Sequence, residues 1–428
     1  MRLFIASLLA SVLSGYSGLV GLPLPLDRLL FAAGAALLLL DGHLHASGRL
    51  RWRWVHGFMI ATVAWTVWSA SVHGTLQTSY GAFALLDRLV IPFAFLVLGP
   101  VLFAEERDRI RLLKALIALG AYLGVTAIFE VAGLDSLVFP RYITDPDVGI
   151  HFGRARGPFA GAEANGMVMA ACLFASALAV SRLRGVWRGA AVCVVALSSL
   201  GILLTLTRSV WLGTIAGILL VSVMTPSLRR WLPIIVGGGV AAVAGLLLAV
   251  PSLTDLLIER LTTERSVYDR QNTNAAALRM LAEHPIDGVG WVRFVDLSPD
   301  WVRQADLYPV TNVTIEVHNV VLARAAELGL VGAFLWCAAL LAGPAMAALR
   351  APGDRELAPW RMVFVGYGCV WIICIMVSPV PYPLPNYLIW LLAGISLRDY
   401  LLHRPSHNEP QQETPSGRSG GTRASTAT

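Results

Sequence analysis

Apolar runs of about 17 to 25 residues, the length a helix needs to cross the hydrocarbon layer of a bilayer, recur along almost the whole chain. About twelve can be drawn, at 3–22, 26–41, 55–72, 84–103, 112–132, 164–181, 190–206, 209–225, 232–250, 322–349, 361–378 and 386–402. Lipid offers the backbone no hydrogen-bond partners, so a spanning segment is either a helix or a strand of a closed barrel. A barrel strand would alternate apolar and polar residues over about ten positions, and no such segment occurs. An all-α, polytopic integral membrane protein of about twelve transmembrane helices is therefore expected. Composition agrees: 56% of residues are hydrophobic and 14% charged, against roughly a quarter charged in ordinary soluble domains. The five cysteines all lie within apolar runs, which suggests neither a disulfide framework nor a zinc site. Met1 to Gly18 lacks a small-x-small cleavage pattern and reads as an uncleaved first helix.

The polar connections sort into two groups. Arg49, Arg51 and Arg53, the cluster Arg107, Arg109, Arg111 and Lys114, the group Arg182, Arg184 and Arg188, and Arg229, Arg230, Arg350, Arg355 and Arg361 all thread to one side. Positive residues in short loops mark the cytoplasm, so this side and both termini are expected there. The other side receives the neighbourhood of Tyr80, the loop Leu134 to Glu163, the turn Thr207-Arg208-Ser209 and an excursion from Pro251 to Val317. That excursion carries Arg260, Arg265, Arg270, Arg279, Arg293 and Arg303, and re-enters the apolar part of the chain through Glu316-Val317-His318-Asn319. Arginines on this external face break the rule that set the topology and need another reason. Helical spacing of Ala, Leu and Met from Arg270 to Glu283, ended by His284-Pro285, makes the excursion partly helical, and Asp287-Gly288-Val289-Gly290 reads as a turn. The expected organisation is a membrane domain over 1–402, with the loop 251–317 contributing to an active site. The Pro-, Ser-, Gly-, Gln- and Thr-rich tail 403–428 has no apolar face to bury and is expected to be disordered and cytoplasmic.

Thirty-two arginines stand against one lysine, Lys114. A GC-rich genome accounts for such a bias, so position must carry the argument. Arg208, between two apolar runs, either snorkels to headgroups or holds an anion at the membrane surface, where low dielectric strengthens a guanidinium–phosphate contact. His318 either packs structurally at a helix start or acts as a base, since a neutral imidazole can take a hydroxyl proton. Asn319 could cap or orient that helix, and Arg324 and Glu327, three apart, can pair on one face of it. Ionisable groups at membrane depth are costly and functional by default. Arg154 and Arg156, before Gly157-Pro158-Phe159 and Asn165, are candidates for a second anion or sugar contact. Asp145-Pro146-Asp147 is a short carboxylate pair of the kind that binds metal in many sugar transferases, too short a match to support a metal site. Asn312-Val313-Thr314 matches a glycosylation sequon. No Walker loop, Gly-x-Ser-x-Gly elbow, His-Glu-x-x-His or dinucleotide fingerprint is present, so no metal, cofactor or nucleic-acid partner is expected.

Four features in order resemble the O-antigen ligase and polymerase superfamily of bacterial envelopes. They are Gly157-Pro158-Phe159 with Asn165, Arg208 in Thr-Arg-Ser-Val-Trp, Arg270 fifteen residues before Pro285 in Pro-Ile-Asp-Gly-Val-Gly, and His318-Asn319 followed by Glu327-Leu-Gly-Leu-Val-Gly. The resemblance covers about Arg154 to Trp336. It implies a GT-C-like membrane glycosyltransferase of the bacterial inner membrane with a periplasmic active site. The donor would be a glycan on undecaprenyl diphosphate and the acceptor, for a ligase, lipid A-core. Carried over by position, Arg208 and Arg270 would hold the diphosphate and His318 would activate the acceptor hydroxyl. Arg154, Arg156, Asn165, Asn319 and Glu327 would bind substrate or support the site. A ligase is favoured over a polymerase because one large external loop lies late in the chain with no extra soluble domain after it. The rival from another class is a transporter or flippase of lipid-linked sugar, for which Asp87-Arg88 and Glu130 would be the midplane charges. Charge concentrates in the external loops instead, which favours an enzyme.

Overall fold

The computed structural model describes residues 1–403 except 23–24, 41–49, 264, 305–306 and 312–313. The tail from 404 onward and the first two residues of the sequon lie outside the described residues. Among the described residues the chain is helical, with an isolated antiparallel bridge between Leu50 and Leu402.

Most apolar runs of the sequence become helix; the first, expected over 3–22, is α-helical only to Ala10 and then turns through two short 3-10 pieces, Ser11–Leu13 and Ser17–Val20. The first half contains α1 (Arg2–Ala10), α2 (Leu26–Leu40), α3 (Trp54–Val72), α4 (Ser79–Leu102), α5 (Glu106–Val131), α6 (Ala162–Arg182) and α7 (Val186–Leu204). It continues with α8 (Arg208–Met224), α9 (Leu232–Ala249), α10 (Pro251–Thr262), α11 (Arg265–Glu283) and α12 (Phe294–Trp301). The chain then returns to the bundle in α13 (Val320–Leu349), α14 (Ala358–Val377) and α15 (Pro383–Ser396). Seven of these (α3 to α7, α13 and α14) are long and apolar enough to cross a membrane unaided; α1, α8 and α9 are shorter apolar helices. This is a multi-pass, all-α membrane protein. Its outer surface keeps large apolar side chains exposed, among them Leu40, Trp54, Val240 and Leu248. That is stable only where lipid rather than water covers them.

The centre of the bundle is α6, whose residues from Ala162 to Ser176 are all buried. Around it pack α5, α7 and α14, while α8 lies along α14 and α15 along α4. Small residues allow the close approaches that take the place of a hydrophobic driving force in lipid. A Cβ on Gly217 of α8 would sit 2.4 Å from the Gly366 carbonyl of α14.

The arginine-rich short loops gather at one pole of the bundle. Arg109 donates to Glu356 at 2.8 Å, Arg182 pairs with Glu106 at 3.3 Å, and Arg53 donates to the Tyr400 carbonyl at 3.1 Å. Loops far apart in sequence are thus tied together.

Candidate active site

The excursion is fastened to the bundle by two glycine motifs that dock on each other. Helix α13 breaks at Gly329, whose φ is +68° and whose ψ is −176°. The break strands backbone carbonyls inside a membrane helix, where each unsatisfied group costs several kcal/mol. The turn after His284-Pro285 supplies the partners: Val289 N donates to the Ala326 carbonyl and Gly290 N to that of Glu327, both at 2.9 Å. The Trp65 indole donates to the Leu328 carbonyl at 2.9 Å, and Leu330 N donates back to Pro285 O at 2.8 Å. Contact is so close that a Cβ on Gly329 would lie 2.0 Å from the Ile286 oxygen, and one on Gly288 (φ +71°) 2.4 Å from the Glu327 carbonyl carbon. Trp291 follows, fully buried, with its indole donating to Gly81 O at 3.1 Å.

With the loop anchored, α11 lies across the mouth of α13. One face of α11 buries Ala276, Ala277 and Met280 against Val317, Phe294 and Ala326. This places Arg270 of α11 on the same cavity as His318, the neighbour of Val317. The cavity, about 430 Å³, is lined by Arg154, Glu163, Arg208, Asp269, Arg270 and His318, with Glu316, Ser378 and Tyr382 completing its walls. The segment between α7 and α8 supplies Arg208 through a tight connection in which Leu206 takes a left-handed conformation (φ +50°).

Inside this cavity the arginines are poorly matched by acids. Among the described residues Arg154, Arg208 and Arg270 form no ion pair within 4 Å. Arg208 Nη2 donates to the Ser266 hydroxyl at 3.1 Å, and Ser209 Oγ donates to Glu163 Oε1 at 3.3 Å, tying the turn to the first turn of α6. Arg270 Nε and His318 Nδ1 are buried and have no hydrogen-bond partner among the described residues. Buried polar atoms are nearly always paired, so two orphans on one cavity wall mark a place for a ligand. Burial, and then the Arg208 charge, lowers the pKa of both Arg154 and Arg270. Like charges held this close favour an anion between them. Burial, followed by the Arg270 charge, pushes the His318 imidazole below its ordinary value, which keeps it neutral and able to accept a proton at pH 7.

The remaining candidates do not face the cavity. Arg156 is fully buried and donates to the carbonyls of Ile143, Val148 and Asp145, while its own N–H and that of Gly157 bind the Glu130 carboxylate at 3.1 and 3.0 Å. It knits the Leu134–Glu163 loop together. Asn165, also fully buried, donates to Ala155 O at 3.0 Å and so positions the segment that bears Arg154. Asn319 caps α13, its side-chain oxygen accepting from Leu322 N at 3.0 Å. Glu327 pairs with Arg324 at 3.4 Å, both buried, with the guanidinium 4.7 Å over the Trp291 ring. Asp145 Oδ1 accepts from Asp147 N at 3.0 Å, closing an exposed turn. Asp87 and Glu130 are likewise engaged, Asp87 by Arg28 and the Tyr387 hydroxyl. Glu163, Asp269 and Tyr382 line the cavity although sequence reasoning misses them. Glu163 carries a signal, being a lone acid at the edge of an apolar run, but by sequence it is merely the last residue of a loop.

Residues 193–337 match the family model of the O-antigen ligases. The match begins within α7 and ends within α13, and so contains Arg208, Arg270 and His318. No curated protein matches the chain. The resemblance to the O-antigen ligase and polymerase superfamily stands on that segment.

Proposed function

We propose that this protein transfers a glycan from a polyprenyl diphosphate carrier, undecaprenyl diphosphate in bacteria, to lipid A-core at the periplasmic face of the inner membrane. The observation that carries the reading is the convergence on one cavity, beside the apolar helices, of three arginines with no ion-pair partner among the described residues and a half-buried histidine held neutral. A diphosphate leaving group matches the arginines: Arg208 and Arg270 bind it in the ground state and stabilise its growing charge as the bond breaks, with no metal required. Arg154 adds a third positive charge on the same wall.

His318 takes the proton of the acceptor hydroxyl as the oxygen attacks the anomeric carbon. The bond from that carbon to the diphosphate oxygen breaks, its electron pair leaves with the diphosphate, and the configuration inverts. The carrier supplies the free energy, so no nucleotide is consumed. A general base of this kind contributes about two to four orders of magnitude. Lipid-anchored donor and acceptor would both meet the cavity where the excursion joins the membrane helices.

Purified protein, given a lipid-linked donor and lipid A-core without ATP or metal, should form the transferred product. Extension of the glycan on its carrier would identify a polymerase of the same superfamily, and no product beyond translocated donor would leave a transporter. The orientation with the excursion outside is tested by cysteines at the exposed positions Asp296 and Ser181, which should be labelled from opposite sides of the membrane. Labelling from one side would overturn it.

A further inference from the structure

A second chamber, about 770 Å³, lies beside the first cavity on the other side of a wall made by Glu316, Pro381 and Tyr382, which line both spaces. Its chemistry is the reverse of the first. Each of its guanidiniums is neutralised: Arg28 by Asp87, and Arg88 by Glu316 at 2.6 Å. The Tyr80 hydroxyl closes the second pair, donating to Glu316 Oε1 at 2.8 Å. Among the described residues of its lining, no unmatched cation remains for a phosphate. What the chamber offers instead is rings, from Tyr16, Tyr80, Phe83, Phe159 and Tyr382, together with the hydroxyls of Ser14, Ser17 and Ser79.

Aromatic faces beside neutral hydrogen-bonding groups suit a ligand that is apolar on the faces of its rings and polar around their edges. A sugar has that character. An acyl chain would leave the hydroxyls and both ion pairs facing hydrocarbon, at a cost for each polar group. From this we infer that the second chamber seats the sugar rings of the acceptor glycan, presenting a hydroxyl across the Glu316–Tyr382 wall to His318. The inference rests on the proposed transfer reaction and assigns that reaction its second subsite. Arg88 and Tyr80 then act as positioning residues, because by gripping Glu316 they hold the stretch of backbone that carries His318 two residues later. Burial alone would raise the Glu316 carboxyl, but Arg88 beside it outweighs this and holds it below its ordinary value, so the grip stays charged.

The test does not need turnover. A diazirine derivative of delipidated lipopolysaccharide core oligosaccharide is photolysed with the wild-type protein, and the labelled peptides are mapped. Labelling within 11–17 or 79–88 is expected; labelling confined to 266–270, or none, overturns the inference. Saturation-transfer NMR with the underivatised oligosaccharide adds a second measurement. Gly15 lines the chamber and an added Cβ there meets nothing within 4 Å, so Gly15→Trp fills it from an open position, and Ser79→Trp does so from another lining residue. Transfer to the sugar protons should be lost in these variants and kept in Arg270→Ala. Equal transfer in a folded tryptophan variant, or loss only in Arg270→Ala, overturns the inference. Titration of polyprenyl diphosphate against wild type and Arg208→Ala reports separately on the donor site, so failure of the transfer reading is distinguishable from failure of the acceptor seat.

Discussion

Arg270, half-buried, and Arg324, buried, both lie near the mouth of α13, yet their surroundings differ in kind. Arg324 is matched by Glu327 at 3.4 Å and stacked on Trp291, and Arg88 is matched by Glu316 at 2.6 Å. These braces hold α4, α13 and the excursion in register. Arg270 has Arg208 as its strongest charged neighbour and an Nε with no hydrogen-bond partner among the described residues. The same residue type thus serves as a strut where an acid is built in opposite and as a ligand where none is. A partly desolvated charge without a partner gains from an arriving counter-charge, so the half-buried cavity arginines keep a preference for an anion that the braced ones have already satisfied within the fold.

Substitution should therefore separate the two regions. His318→Ala on the open side is expected to lower turnover by about two to four orders of magnitude while the thermal unfolding midpoint and donor binding stay unchanged. Near-normal transfer by the folded variant would remove the base from the mechanism and leave the arginines to act by positioning and leaving-group stabilisation. On the braced side, Arg324→Ala leaves Glu327 buried alone and should destabilise the protein by about 3–5 kcal/mol, visible as a lowered midpoint in detergent. Replacing both partners by methionine should recover much of that loss. A stable Arg324→Ala protein with impaired transfer would move this pair from brace to substrate contact.

A smaller effect is expected from Arg270→Lys, which keeps the charge and loses the fork. Donor affinity should fall roughly ten- to hundredfold, the worth of a charge-assisted hydrogen bond, with stability unchanged; full affinity would mean that only the general field matters. The smallest effect is a displacement on the pH axis. Since burial and Arg270 lower the His318 pKa in the free protein, kcat/KM should rise with pH along a limb centred below about 6.5, the ordinary imidazole value, and be flat above neutrality. Bound diphosphate offsets the Arg270 charge, so the limb in kcat should lie higher than that in kcat/KM. Coincident limbs, or one above the ordinary imidazole value in kcat/KM, would contradict the electrostatic picture of the cavity.

Much of this architecture was legible in the residues alone. Span after span declares itself because a bilayer tests each helix separately for length and apolarity, and those are local properties of the chain. The helix through Arg270 to Glu283, its stop at His284-Pro285, the glycine turn that follows and the Asn319 cap are local in the same sense. The order of Arg208, Arg270 and His318 along the chain pointed to one reaction.

Only the folded chain decided which charged groups are free. Arg88 and Glu316 lie 228 residues apart and Trp65 and Leu328 lie 263 apart, and no periodicity or spacing announces such partners. Arg154 and Arg156 sit two positions apart, yet one lines the cavity and the other is consumed by loop carbonyls. Glu163 joined the site for the same reason, and the second chamber exists only because the segment after α1, with α2 and α4, meets the re-entry segment there. Whether a guanidinium is a strut or a ligand depends on what stands opposite it, and that is a property of packing rather than of sequence.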